Sequence, residues 1–235
     1  MFEPWPIARP EIWEAMRQFI EYWHRPIADA DRTSNDDLDA ASVRLALTVP
    51  TAIREFYGWI GNAKDIWSRQ DELLPPSEWT LEDGVLVLCV ESQCVVRWGV
   101  LEQDLNRPDP PVAVTDIEGP SSRLLCSESF SQWTLQYLLM QPKYWPTGTW
   151  WANGRPYVNT IEAVKRRFRQ CPLPDLPWPE SPTRFYVADD AVVEINGEGG
   201  PGSWPWLTCR EEGLYHTLLR KFSDCQMEWE TRCDE

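Results

Sequence analysis

The residue types that most often do chemistry are few in this chain and poorly grouped. A zinc site or a nucleophilic enzyme needs histidines and cysteines close together, yet the two histidines, His24 and His216, fall in different predicted helices without ligand-like neighbours. The seven cysteines are irregularly spaced, odd in number and without a CxxC pair, which is typical of reduced thiols. No Gly-x-Ser-x-Gly motif is present. The sequence therefore predicts no metal, no cofactor and no nucleophilic active site.

Carboxylates and tryptophans are the remaining groups that could carry a reaction, because 37 Asp and Glu residues accompany 15 Trp residues. Glycoside hydrolases place two carboxyl groups on either side of the bond that they cleave. Composition does not bring two carboxylates together in space, and tryptophans at helical or strand spacing are usually core residues. A glycoside hydrolase is therefore the least favoured of the functions considered.

Two other motifs favour structural interpretations. The glycine-rich segment 197–202 follows a predicted strand but lacks the lysine and the helix that a phosphate-binding loop requires. The basic run at 165–169 lies on a predicted helix of an acidic protein, where it is typical of a solvated face. Neither motif indicates a binding site for phosphate or nucleic acid.

The strongest functional signal is the formal net charge of −15. Acids outnumber bases by 23 to 11 in residues 1–140 and by 14 to 11 in residues 141–235. Nucleic acids and anionic membranes are bound by Lys and Arg, so a field of this sign repels both. The excess serves either simple solubility or attraction of a cationic partner.

An acidic patch is predicted around the central sheet and its exit, because complementary charge speeds association and rejects wrong partners. Trp98 is the predicted aromatic anchor of this surface, since interface hot spots favour tryptophan, and a core tryptophan is the alternative. The candidate partner-binding residues are Glu91, Trp98, Glu102, Asp104, Asp109, Asp116 and Glu118.

Hydrophobic spacing predicts the elements that must position these side chains. Helices are expected at 11–23, at 40–47 after a cap at Ser34, Asn35 or Asp36, and at 51–60 before Gly61. Two strands around Glu91 should form a hairpin, the first buried on both faces and the second exposed on the side of Arg97. A short strand after Pro111 and a helix capped by Ser127 or Ser129 follow. This order predicts an α+β fold with an antiparallel or mixed sheet flanked by helices.

The character of the sequence changes after Gln141, where proline, glycine and tryptophan become frequent. A helix capped by Thr160, two strands at 185–187 and 192–195, and a last helix with a capping box at Thr208 and Glu211 are expected there. We therefore predict a first domain at 1–141 and a C-terminal α+β extension or small second subdomain at 142–235. No apolar run of membrane-spanning length and no leader-like start is found, which predicts a cytoplasmic protein.

Several short motifs occur in an order that resembles the SUKH superfamily, over residues 36–141. The motifs are the segment VPTAIREFYGWIGN, the strand pair that carries Glu91 and Gln93, the segment Pro110-Pro111-Val112, and a helix opened by Ser129-Phe130. Two features depart from the family pattern: Gly61 is followed by Asn62 instead of a second glycine, and the region from Pro142 onward has no counterpart.

The resemblance implies a non-enzymatic α+β protein, since that superfamily groups yeast cell-wall regulators with bacterial immunity proteins. Combined with the acidic patch, it leads us to expect an immunity protein that binds and neutralises a basic protein toxin. The alternative is a regulatory or scaffold protein without a toxin. The sequence leaves the oligomeric state and the role of residues 142–235 open.

Overall fold

A computed structural model describes residues 5–117, 123–145, 149–155, 158–177, 182–198, 202–223 and 228–231. Over these ranges the chain forms an α+β fold with two antiparallel sheets of six strands each. Within the same ranges there are seven α-helices, of which four precede the first sheet, one follows it and two lie beside the second sheet.

Four helices precede the first sheet, and their local sequences explain where they begin. Pro10 occupies the first turn of α1, where a missing N–H costs nothing. The Ser34 side chain accepts a hydrogen bond from the Asp37 amide and caps α2. The helices are α1 (Arg9–Trp23), α2 (Asn35–Leu45), α3 (Thr51–Ile60) and α4 (Lys64–Trp67).

The first sheet is a meander in which β3, β4, β5 and β6 pair in chain order, while β1 and β2 share the free edge of β3. Asp83 and Gly84 join β2 to β3 with positive φ at both residues, as the tightest hairpin turns require. The strands are β1 (Glu72–Leu73), β2 (Thr80–Glu82), β3 (Val85–Val90), β4 (Val96–Leu101), β5 (Val112–Asp116) and β6 (Arg123–Ser127).

The last first-sheet strand leads into α5 (Phe130–Met140), which Ser129 caps by accepting a hydrogen bond from the Gln132 amide. The second sheet follows, in the order β12-β7-β11-β10-β9-β8. Its elements are β7 (Trp150–Arg155), α6 (Val158–Arg167), β8 (Arg169–Gln170), β9 (Thr183–Ala188), β10 (Ala191–Asn196), β11 (Trp204–Cys209), α7 (Glu212–Ser223) and β12 (Glu228–Thr231).

Alternate residues of the second sheet belong to two hydrophobic clusters. Val187 and Val192 join the large cluster that also contains the helices and sheet of the first half. Their strand neighbours Tyr186 and Val193 face the other way, into a smaller cluster with α6 and α7. The second sheet thus covers the first half with one face and carries its own two helices on the other. The apolar cluster crosses residue 141, and the domain division predicted there stays a prediction.

Most of the elements expected from the sequence are confirmed, and three local expectations are wrong. Thr160 does not cap a helix, since it lies inside α6, which begins at Val158. Strand β4 does not expose one side at Arg97, because that residue is only 6% exposed and its guanidinium reaches Glu82 and Asp83. Thr208 does not cap the last helix. It lies inside β11, opposite Trp151 of β7, and α7 begins only at Glu212.

Strand β4 approaches β3 so closely at Gly99 that a side chain has no room there. An ideal Cβ at this position would lie 2.2 Å from the Leu86 carbonyl oxygen, a backbone atom that cannot move away. We expect Gly99→Ala to lower the free energy of unfolding by about 2 kcal/mol or more. Gly58→Ala is the matched control, because its Cβ would meet nothing within 4 Å inside helix α3. This variant should raise the free energy of unfolding by about 0.5–1 kcal/mol. Urea unfolding measures both, and equal effects would contradict the close approach.

An ionic network ties the end of α1 to α4. Arg25 donates to Asp65 at 2.7 and 2.8 Å and to Asp31 at the same two distances, and His24 lies 2.9 Å from Asp65. Hydrogen bonds from Arg25 hold the pKa of Asp65 at about 2. A lowered pKa in the folded state stabilises the protein above the ordinary value of 3.8, and this gain disappears as the pH falls toward 2.

Asp65→Asn should therefore lower the melting temperature by a few degrees at pH 7, corresponding to about 1 kcal/mol after solvent screening of this partly exposed group. The deficit should shrink when the pH falls below about 4. Asp39→Asn removes an exposed ion pair with Arg54 and should have almost no effect at either pH. Thermal unfolding followed by circular dichroism at several pH values tests this, and a deficit that is constant with pH would contradict it.

Candidate functional site

The predicted acidic patch is divided between the two ends of the first sheet. Glu91 and Asp116 lie at the end where the β3–β4 hairpin turns, since Asp116 pairs with Val96 and the Glu91 amide donates to the Val96 carbonyl. Glu102 follows β4 at the opposite end. Five residues of strand separate the two ends by roughly 17 Å, so the predicted residues do not form one continuous surface.

Two of the predicted residues at the far end have structural contacts. Asp109 accepts hydrogen bonds from the Ser131 amide at 3.0 Å and from its hydroxyl at 2.6 Å, which fixes the start of α5. Asp104 lies 3.3 Å from Arg107 in a local ion pair. Glu102 is exposed and borders an open depression of about 390 Å³ beside Gly84 and Arg123. Only Glu102 at this end is therefore fully available to a partner.

Trp98 is a core residue and not a surface anchor. Its side chain is 1% exposed, and its ring centre lies 6.5 Å from that of Tyr137 in α5. The prediction that Trp98 anchors a partner is therefore wrong, and the alternative of a core tryptophan is correct. Glu118 lies outside the described residues.

A cavity of about 250 Å³ lies between the hairpin end of the first sheet and the second half of the chain. We call it the junction pocket. It is lined by Gln70, Asp71, Glu91, Gln93, Val95, Met140, Gln141, Lys143, Tyr144 and Glu194. Of these, only Glu91 was predicted from the sequence as a site residue.

Glu91 is held in place by the turn that it begins. Its carboxylate accepts hydrogen bonds from the Gln93 amide at 2.8 Å, the Val95 amide at 3.3 Å and the Ser92 hydroxyl at 3.1 Å. The residue is 8% exposed. These contacts satisfy the amides of a turn that includes Cys94 at positive φ, so Glu91 first of all shapes the hairpin and secondarily contributes negative charge to the pocket.

Lys143 and Glu194 form a buried ion pair at the pocket wall. Their side chains are 5% and 3% exposed, and the ammonium group donates to Oε2 of Glu194. Lys143 also lies 4.6 Å from the ring centre of Trp206 and 5.1 Å from that of Tyr144, both within cation–π range. Burial raises the pKa of Tyr144, and the charge of Glu194 adds to the effect. The tyrosine hydroxyl therefore stays protonated at neutral pH.

Asp71 is a partly buried carboxyl of the junction pocket. Burial raises its pKa to about 6, with a further contribution from the charge of Glu91. A hydrogen bond from the Ser92 amide at 3.3 Å and the charge of Lys143 act in the opposite direction. Carboxyl groups with raised pKa values in concave sites are typical of binding or catalytic positions.

Two residues of the pocket lining each carry a buried acceptor atom without a hydrogen-bond partner among the described residues. The atoms are Oε1 of Gln141 and Oε1 of Glu194, on residues that are 1% and 3% exposed. Buried acceptors are nearly always paired in native proteins, so each such exception requires an explanation. A ligand donor is one group that would satisfy them.

Sequence reasoning did not find Asp71, Lys143 and Glu194, because no spacing rule joins them. The one available signal was the isolated acidic Glu194 within the apolar run VVEI, where a buried charge needs a partner. Over the described ranges no group of three or more His, Cys, Asp and Glu side chains is arranged to hold a metal ion. In the same ranges, no helix is both long and apolar enough to cross a membrane.

Ionisation of Asp71 should lower the free energy of unfolding. A pKa raised from 3.8 to about 6 favours folding at low pH, and this advantage is lost as the pH rises through that interval. Asp71→Asn keeps an oxygen acceptor for the Ser92 amide but carries no charge. We expect the variant to match the wild type near pH 4 and to melt a few degrees higher above pH 6, on the order of 1–2 kcal/mol.

Glu72→Gln is the control for this comparison, since Glu72 is the exposed neighbour of Asp71 and its neutralisation should change the melting temperature little at any pH. Thermal melts between pH 4 and pH 8 measure the difference. A variant that is less stable than the wild type at pH 7 would show that the Asp71 carboxylate has a structural role.

Comparison of the chain with protein families, with curated proteins and with solved structures gives no match.

Proposed function

We propose that this chain is a non-enzymatic immunity protein that binds and neutralises a basic protein toxin in the cytoplasm. The observation that carries the proposal is the uncompensated negative charge of the first half of the molecule. Residues 1–140 contain 23 acids and 11 bases, and most of these bases form ion pairs or hydrogen bonds within the chain.

The internal engagement of the bases can be followed residue by residue. Seven arginines of residues 1–140 form ion pairs with carboxylates of the same chain. Arg44 donates to the carbonyls of Trp79 and Pro76 at 2.9 and 2.8 Å, and Arg123 donates to the Asp83 carbonyl. Nine of the eleven bases therefore have partners inside the molecule, and the acidic excess is left to attract an external one.

Several of the remaining acids are exposed and take part in no ion pair among the described residues. They are Glu21, Glu72, Glu78, Glu102 and Glu128. A partner of opposite charge is steered by such a field, and its association rate rises by orders of magnitude at low salt. A toxin that acts on a polyanion carries the required positive charge, and rapid capture is the property that neutralisation needs.

The hairpin end of the first sheet is the surface that best suits this role. Asp71, Glu72, Glu91 and Asp116 lie there together, because β1 pairs with the end of β3 and Asp116 pairs with the start of β4. Arg69 is the nearest base along the chain. The junction pocket opens beside these residues, so the surface combines negative charge with a concave feature.

A glycoside hydrolase is the second candidate, because the junction pocket brings carboxylates near an aromatic ring. Asp71 has the raised pKa of a general acid. However, Glu194 is paired with Lys143, and Glu91 accepts two turn amides. An arrangement in which both other carboxylates are already held favours binding over catalysis. A regulatory scaffold would use the same surface and differs only in that its partner is not toxic.

Co-expression with the product of each adjacent gene tests the immunity proposal. The expected result is that one neighbour arrests growth alone and that this chain restores growth. Charge reversal at the hairpin end, with Glu72→Lys plus Gln93→Lys, should abolish the rescue and weaken binding of the purified partner at least tenfold at low salt. Wild-type binding should itself weaken as salt is raised.

Glu162→Lys plus Gln170→Lys is the matched control with the same change of +3 in net charge. Glu162 lies on α6, which packs on the face of the second sheet opposite to Glu194. This control should retain rescue. If this chain restores growth against none of the neighbouring gene products, the proposal is overturned. If both double variants lose rescue equally, total charge matters and the hairpin end does not.

A further inference from the structure

The junction pocket has the chemistry of a receptor for one positively charged group. It is lined by three carboxylates, Asp71, Glu91 and Glu194, and by a single cation, Lys143. Lys143 is committed to Glu194 and to the aromatic faces beside it. With Asp71 ionised, two negative charges of the lining remain without a compensating cation in the lining.

The unpartnered acceptors add a second and independent observation. Oε1 of Gln141 and Oε1 of Glu194 have no donor within the described residues, although both side chains are more than nine-tenths buried. Leaving such buried atoms unpaired is unfavourable relative to a hydrogen-bonded state. A ligand that brought several N–H donors would remove this cost on binding.

The size and walls of the pocket define the ligand further. A volume of about 250 Å³ is smaller than the sites that enclose drug-sized molecules and suits a single side chain. Val95, Met140 and Tyr144 offer apolar surface for an aliphatic stem. A guanidinium group has five N–H donors in a plane and is weakly hydrated, while an ammonium is compact and holds its water strongly.

We propose that the junction pocket binds the side chain of one arginine presented by the protein partner. This inference rests on the proposed function and identifies the contact by which the partner would be recognised. Asp71 and the free oxygens of Gln141 and Glu194 accept from the guanidinium group, and Tyr144 flanks it.

Binding should depend on pH because Asp71 must be ionised to accept the guanidinium. Two charged groups act on Asp71: the carboxylate of Glu91 opposes its ionisation, and the ammonium of Lys143 favours it. The Cys89 thiol and the hydroxyls of Tyr137 and Tyr144 are also near enough to interact with its charge, and burial raises the pKa of each, so they stay neutral. Since the pKa of Asp71 is about 6, affinity for a cation should increase between pH 5 and pH 7. Tyr144 stays protonated in that interval, because burial raises the pKa of its hydroxyl.

The test uses the full chain and the blocked amino acid N-acetyl-arginine methylamide, followed by NMR of the tryptophan indole N–H groups. N-acetyl-citrulline methylamide has the same shape without the charge, and N-acetyl-lysine methylamide has the charge without the planar fork. We expect millimolar binding of the arginine probe and at least tenfold weaker binding of the other two. Binding of the citrulline probe with equal affinity, or no binding of the arginine probe, would overturn the inference.

Substitutions in the pocket should weaken binding of the arginine probe. Asp71→Asn should weaken the arginine probe about tenfold at pH 7 and remove the pH dependence, and Gln141→Leu should weaken it without changing the pH dependence. The exposed control Glu78→Gln should bind as the wild type does. Unchanged affinity in Asp71→Asn would exclude the pocket, and thermal melts of the same samples confirm that each variant is folded.

The two proposals fail in different ways. If the arginine probe binds but no neighbouring gene product is rescued, the pocket is a receptor for a guanidinium group and the immunity function is wrong. If rescue succeeds while Asp71→Asn and the arginine probe have no effect, the chain binds its toxin through other residues and the arginine contact is wrong.

Discussion

Ten of the eleven residues of helix α5 are buried, so this helix has no solvent-exposed face. A helix that is apolar all round must be enclosed by other elements. Phe130 meets Phe56 of α3 with ring centres 5.6 Å apart, and Tyr137 donates to the Trp67 carbonyl at 3.1 Å. On another side Gln136 donates to the Pro174 carbonyl at 2.7 Å. The second half of the chain therefore completes a core that the first half cannot close by itself.

The junction pocket lies where this apolar enclosure stops. The chain leaves α5 through residues Gln141–Tyr144, a 3₁₀ turn that carries Lys143 against Glu194 of β10. A buried ion pair contributes little net stability, because desolvation offsets most of the Coulomb attraction. The Asp71 carboxyl beside it opposes folding once it is ionised, because burial raises its pKa, so neither feature of the pocket is explained by a gain in stability.

The negative charge of the molecule is concentrated in residues 1–140, where most of the bases are paired within the chain. Nine of the eleven bases in the first half are bound to carboxylates or carbonyls of the same chain, as Arg25 is to Asp31 and Arg97 is to Glu82. Such pairs fasten elements to one another and remove cations from the surface. Under the proposed function, the acids that remain would supply long-range attraction and the junction pocket a short-range contact, so the two tasks would fall to different residues.

The sequence by itself determined the fold class and most of the elements of the first half, because hydrophobic period, capping residues and turns are local properties. Ser34, Ser129 and the hairpin around Glu91 could be located in this way. Strand β7 could not, since its tryptophans and glycine indicate a connector until β11 and β12 pair with it.

Only the tertiary structure decided which acids share a surface. It separated Glu91 from Asp109 by the length of a strand and placed Trp98 in the core. It also joined Asp71, Lys143 and Glu194 in one pocket, although 123 positions separate the first from the last. Such contacts depend on how the two sheets pack around α5, which no local pattern in the sequence encodes.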